Sequence, residues 1–263
     1  MTKSKTFLIT GATGGIGIAV CHRLAAAGHR LILAARTSSK LQALQESLST
    51  STNKDHLAIS LDMTDDHSIA QFKGTLGAES LDIDGVVLMP PQIPPTNDCL
   101  PGADSWRTMF QNSFIGPLEV LKAAIERMRP DPANGKRAKV VIISGISSAQ
   151  VLGHYATSNV LRCAWLAEAK TLAFALGERG IHVNTLSLGG TLTPGYKSSL
   201  EKRASTAGVS FDERLAEETA NVPLKKYGAP EEVAGAVEGL LSSFSDHLTG
   251  LNILHDGGFT RAY

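Results

Sequence analysis

Four glycines fall within the eight residues Thr10-Gly11-Ala12-Thr13-Gly14-Gly15-Ile16-Gly17, between the apolar run Phe7-Leu8-Ile9 and an amphipathic stretch from Ala19 to Ala27. An apolar run of that length has strand character, and the stretch after the glycines has helix character. A bare-backbone turn joining a buried strand to a helix presents N–H groups at the positive end of the helix dipole, where a phosphate is stabilised. Gly11 fits the tight turn, Gly15 the close approach of backbone to ligand, and Gly17 the packing of helix on strand; Thr13 and Ile16 lie between them. A second apolar run, Leu31-Ile32-Leu33-Ala34, follows where a dinucleotide-binding unit needs its next strand.

The same alternation continues to the end of the chain. Strand-like runs occur at 6–10, 31–35, 57–61, 85–89, 140–144, 182–187 and 251–254. Helical patterns lie between them at 19–27, 41–48, 69–76, 109–128 and 151–176. This order predicts an α/β fold: a Rossmann-type, doubly wound, mostly parallel seven-stranded sheet with helices on both faces. The 263 residues suit one such domain, with no linker long enough to divide it. The segment 129–138 reads as a surface loop. The segment 193–226 interrupts the pattern beyond a strand's carboxyl end, where ligands bind in such folds, and is a candidate substrate lid.

Composition narrows the classes. Lys plus Arg and Asp plus Glu both number 25, so no net basic field invites nucleic acid. No apolar stretch is long enough to cross a bilayer and no leader pattern is present, which points to a cytoplasmic protein. Cys21, Cys99 and Cys163 lack metal-ligand spacing and read as small buried apolar residues. No metal site is expected.

Beyond the glycine turn, several segments lie in a telling order: Leu61-Asp62-Met63, Gly180-Ile181-His182-Val183-Asn184, Ser187-Leu188-Gly189 followed by Thr193, Leu248-Thr249-Gly250, and Asp256-Gly257-Gly258. Together they resemble the short-chain dehydrogenase/reductase family from about Lys5 to Phe259. The resemblance implies a nicotinamide cofactor bound by Gly11, Thr13, Gly15, Ile16, Gly17, Asp62, Met63, Gly189 and Thr193, with Asp62 and Met63 beside the adenine. Members that take NAD carry an acid after the second strand. Here the residues are Arg36 and Thr37, and Arg36 suits a 2′-phosphate, so NADP(H) is the predicted cofactor. Relatives usually form dimers or tetramers through the helices near 109–128 and 151–176, which implies a homodimer or homotetramer.

The catalytic half departs from the family pattern. The usual Asn, Ser, Tyr and Lys positions fall on Ser113 (with Asn112 adjacent), Gly145, Ser158 and Arg162. The turn after the fourth strand reads Met89-Pro90-Pro91-Gln92, with Pro94 and Pro95 behind it; prolines stiffen it and remove N–H groups, so the nicotinamide end is expected to sit unusually. Tyr155 offers one rescue. It precedes Arg162 by the interval that the enoyl-reductase branch uses between its Tyr and Lys, and on a continuous helix Tyr155, Ser158, Asn159 and Arg162 share a face. Tyr155 as proton donor, Arg162 on the ribose and Ser144 as hydroxyl donor are the candidate catalytic groups. Ser147 and Ser148 are further hydroxyls that also suit a turn after a strand. His154 and His182 read as structural.

Loss of a placed general acid costs ~10²–10⁴-fold in rate, which disfavours an ordinary ketone. The expected function is therefore an NADP(H)-dependent reductase with a non-standard site, reducing a C=N, activated C=C or C=O bond of a small organic substrate. The alternatives are a non-redox isomerase, lyase or cyclase on the same fold, or an NADP-sensing binding protein.

Overall fold

Neighbouring residues in each apolar run serve opposite faces of one sheet, which is why the runs are continuous rather than alternating. The computed structural model describes residues 4–52, 55–79 and 81–261. Its strands are β1 (Thr6–Thr10), β2 (Arg30–Ala35), β3 (Leu57–Ser60), β4 (Gly85–Leu88), β5 (Ala138–Gly145), β6 (Ile181–Leu188) and β7 (Asn252–His255). All pairs are parallel, in the order β3-β2-β1-β4-β5-β6-β7. Leu8, Ile32, Val86 and Val140 point into one core layer, and Phe7, Leu31, Leu33, Val87 and Val141 into the other.

Nine helices are described: α1 (Gly15–Ala26), α2 (Ser38–Thr52), α3 (Asp66–Ala78), α4 (Ala103–Phe110), α5 (Gly116–Ile125), α6 (Ala156–Leu176), α7 (Pro194–Ala207), α8 (Phe211–Glu218) and α9 (Pro230–Leu241). Helices α3, α5 and α6 cover the face of Leu8 and Val140; α1, α2 and α9 cover the face of Phe7 and Val141. The chain winds outward from β1 to β3, then returns to lay β4 on the other side of β1. Strand order therefore reverses between β1 and β4, which opens a crevice at their carboxyl ends.

Four expectations need correction. The helix predicted over 151–176 begins only at Ala156, because Tyr155 is an N-cap residue with φ −123° and ψ 37°. The preceding turn is held instead by Asn159, whose side-chain amide bonds both the N–H and the carbonyl of Leu152. The helix predicted over 109–128 starts earlier, at Ala103, and is split by a π turn at Gln111–Ile115. There the Gly116 N–H reaches back to the Gln111 carbonyl, and the Trp165 indole donates to the Ser113 carbonyl at 2.8 Å. The loop placed over 129–138 ends one residue sooner, since Ala138 is buried and begins β5. Cys21 is buried as expected, but Cys99 and Cys163 are exposed.

Gly116 stands where that π turn meets the chain leaving β3; a Cβ there would fall on the Met63 carbonyl oxygen. Gly116→Ala is expected to cost about 1–3 kcal/mol through overpacking, read as a lower urea midpoint at unchanged slope.

Candidate active site

The glycine turn is shaped by close contacts rather than by flexibility. Gly11 takes a left-handed φ of +61°, and its carbonyl accepts from the Gly14 N–H at 2.9 Å. A Cβ on Gly17 would overlap the Gly11 carbonyl and lie 2.9 Å from Ala12 Cα, so α1 begins pressed against the turn. No side chain caps α1 at Gly14, which leaves its opening N–H groups free of a side-chain partner. Thr13 and Ile16 are half-buried in the same turn. A Cβ on Gly15 would stand 2.9 Å from Thr193 Cβ and 3.0 Å from Pro194 Cδ, so the start of α7 leans onto this glycine. Thr193 caps α7, its hydroxyl accepting from the Tyr196 N–H at 3.2 Å. Gly189, at the end of β6, is confined by Asp256, whose Cα would lie 2.8 Å from an added Cβ.

One strand further out, Arg36 leaves the carboxyl end of β2 exposed, with no hydrogen-bond or ion-pair partner among the described residues. Thr37 beside it accepts the Leu41 N–H at the start of α2. Asp62 follows β3 and accepts from both the N–H (2.9 Å) and the hydroxyl (2.7 Å) of Thr64. Met63 is buried and packs in the core.

On the other side of the crevice, at the end of β5, the guanidinium of Arg162 is the dominant group. A Cβ on Gly145 would overlap Arg162 Nη1 and lie 2.5 Å from Cζ, so the guanidinium occupies the room that any side chain at 145 would need. Nη1 donates to Ser147 Oγ at 2.9 Å, and Cζ lies 5.6 Å from the centre of the Tyr155 ring. Burial pulls the Arg162 pKa below its usual value, partly offset by Tyr155, and no carboxylate among the described residues pairs with it. Tyr155 and Arg162 are therefore together, although Tyr155 reaches the site from a turn and not from the helix. Asn159 is used up in the turn before α6.

The hydroxyls around the end of β5 have different surroundings. Ser144 lies within β5, in the expected strand run, and its buried Oγ has no partner. Ser147 holds Arg162, while Ser148 shares a hydrogen bond with Ser187 at 3.0 Å. Ser158, wholly buried one turn before Arg162, also has an unpartnered Oγ. His182 lies at the amino end of β6, away from the crevice, beside buried Lys139 and the Leu248 carbonyl. Burial and Lys139 push its pKa down, which suits a neutral structural ring. His154 is exposed and its ring lies 4.3 Å from that of Tyr155.

The segment 193–226 folds into α7 and α8, tied by one carboxylate that no local pattern signals. Glu218 accepts from Tyr196 Oη at 2.9 Å, from Arg203 at 3.1 and 3.2 Å, and from Arg214 at 3.2 Å. Burial acts to raise its pKa, but the bonds from Arg203 and Tyr196 carry it below the usual value. Tyr227 completes the cluster edge-on to Tyr196, its ring filling the space left by Gly190 just after β6. Among the described residues no group of three or more His, Cys, Asp or Glu is placed to hold a metal, and no helix is long and apolar enough to cross a membrane.

The family model described as enoyl-(acyl carrier protein) reductase matches residues 11–260. The chain belongs to the short-chain dehydrogenase/reductase family. Among relatives of this family member, the (S)-acetoin-forming diacetyl reductase of Staphylococcus epidermidis is 29% identical, over 97% of this chain and 98% of that one. L-sorbose reductase from Gluconobacter frateurii, solved with NADPH and L-sorbose, superposes with a TM-score of 0.90 at 21% identity, covering 99% of this chain and 98% of that one. A short-chain oxidoreductase from Pseudomonas aeruginosa PAO1, described as containing an atypical catalytic center and solved with NADPH bound, gives 0.85 at 21% identity, over 98% of both chains.

Gly145 and Arg162 should behave as one unit in this short-chain dehydrogenase/reductase. Gly145→Ser is expected to cost about 1–3 kcal/mol by overpacking, and Arg162→Lys in the same chain should recover part of it. Denaturant unfolding of the four members of the cycle should give a coupling energy of about 0.5 kcal/mol or more.

Proposed function

We propose that the protein is an NADP(H)-dependent reductase acting on a small organic substrate through a non-standard site. The observation that carries this reading is the Gly145–Arg162 arrangement: a guanidinium fills the end of β5 where relatives are expected to place a serine hydroxyl and a lysine. The residues at the crevice fit the cofactor. The uncapped start of α1 suits its diphosphate, and the partnerless Arg36 suits a 2′-phosphate. Asp62 stands at the end of β3 for the adenine, and Gly189 and Thr193 close the other flank. The NADPH-bound relatives in the same fold support the choice of cofactor.

When bound, NADPH supplies a hydride. Arg162 orients ribose and substrate oxygens but stays charged and relays no proton. Tyr155, whose ring centre lies 5.6 Å from the Arg162 Cζ, is the hydroxyl assigned to deliver one. The segment 193–226 acts as the lid, anchored by Glu218. An acceptor that needs little acid help, a C=N or an activated C=C more than a plain C=O, suits a site with so few proton donors. The exposed apolar side chains of Ile115, Val160 and Phe174 on the helical segments around α5 and α6 support assembly as a homodimer or homotetramer.

Loss of NADPH absorbance with an imine, enone and ketone panel tests the reaction; no turnover in any, with cofactor bound, would favour the non-redox or sensing readings. Arg36→Ala should weaken NADPH binding about tenfold to a hundredfold, the worth of a charged hydrogen bond, while NADH binding stays within about twofold. Equal loss for both would remove the assigned role. Sedimentation should show an assembly larger than one chain, and Phe174→Asp should weaken it.

A further inference from the structure

The donors of the half-buried Arg162 guanidinium are unevenly spent. Nη1 bonds Ser147 Oγ at 2.9 Å and sits in the room left by Gly145. Nε and Nη2 have no hydrogen-bond partner among the described residues, yet neither is sealed from solvent. Together they form the side-on edge of the group, two parallel N–H donors spaced for the two oxygens of a carboxylate. The same edge of Arg203 shows that pairing complete: Nε meets Glu218 Oε1 at 3.1 Å and Nη2 meets Oε2 at 3.2 Å. No Asp or Glu among the described residues does this for Arg162. A cation partly stripped of water and lacking a counter-charge favours an anionic ligand over a neutral one. The Tyr155 ring lies 5.6 Å from Cζ, so a ligand on the open edge also stands near the group assigned to deliver a proton.

We infer that the Nε–Nη2 edge of Arg162 is a carboxylate-recognition site, and that the substrate is a small organic acid whose reducible bond lies close to its carboxylate. This assignment rests on the reading of the crevice as the site of an NADP(H)-dependent reductase and names the substrate class it takes. Neutral sugars, diketones and thioesters bring oxygens to the fork but no charge, and leave the cation uncompensated. An imino, oxo or unsaturated acid brings the charge and two oxygens at the spacing of the donors. The carboxylate keeps its charge throughout the reaction, so its pairing acts alike on ground and transition states. Arg162 therefore governs capture of the acid more than the chemical step.

Benzoate and benzamide, nearly alike in shape and different in charge, make the test. Calorimetric titration of the wild-type chain without cofactor should show benzoate binding at least about tenfold more tightly than benzamide, the worth of a charged hydrogen bond. Arg162→Gln should bring the two within about twofold. Arg162→Lys, which keeps the charge but loses the fork, should keep only part of the preference. Phenylglyoxal, which modifies accessible guanidinium groups, gives a second readout on the unaltered protein. Followed by peptide mass spectrometry, modification of Arg162 should be slowed by benzoate and not by benzamide. Equal affinity for the two probes, no binding of benzoate, an unchanged preference in Arg162→Gln, or modification of Arg162 that benzoate leaves unaffected would each overturn the inference. NADPH binding and turnover of the neutral panel members are read separately from these titrations, so the reductase assignment and the carboxylate assignment can fail independently.

Discussion

Parallel strands that wind away from a common centre leave one gap in the sheet's upper edge that no crossover helix covers. Here that gap lies between β1 and β4. The carboxyl end of β1 delivers the glycine turn, and Met89 at the end of β4 donates its N–H to Thr10 Oγ1 at 2.8 Å, stitching the two lips together. Gly11 is kept small on this account as well, since a Cβ there would press on Met89 Cβ at 3.3 Å. The positions of Arg36, Asp62, Arg162 and Thr193 follow from the strands that flank this opening.

Cations elsewhere in the chain show how differently this fold treats those it neutralises. Lys139, buried near the amino end of β5, has Asp246 at 2.8 Å. Arg203 and Arg214 share Glu218. A buried pair that loses one partner is strongly destabilised, so such cations are seldom left alone without a reason. Against that background, Arg162 stands out at the end of β5, bonded to the Ser147 hydroxyl and facing no carboxylate among the described residues.

Sequence order alone made the sheet readable, because each strand is a short apolar run whose alternate residues fill two cores, as Leu8 does against Phe7 and Ile9. The glycine turn was readable for a related reason: its geometry is local, and Gly17 is required by contacts only six residues away. The start of α6 was not, because it depends on Asn159 reaching back to Leu152 and on Thr96 pairing with the backbone around Tyr155. The π turn depends on Met63 and Trp165 from other elements, and the Glu218 cluster gathers side chains from three segments. In the sequence, Gly145 and Arg162 are two separate departures from the family pattern. Only packing shows them to be one change, the small residue making room for the large one.

The pairing at Thr96 has a mechanical consequence. Its N–H bonds the His154 carbonyl at 3.0 Å, and its carbonyl accepts from Ala156 at 3.1 Å, so the proline-rich stretch after β4 is clamped to the entrance of α6. Prolines stiffen that stretch further. The two walls nearest Tyr155 are thus joined by backbone hydrogen bonds on both sides of Thr96. On the opposite side of the opening, Glu218 ties α7 to α8, and Thr193 and Pro194 at the start of α7 crowd Gly15 of the glycine turn.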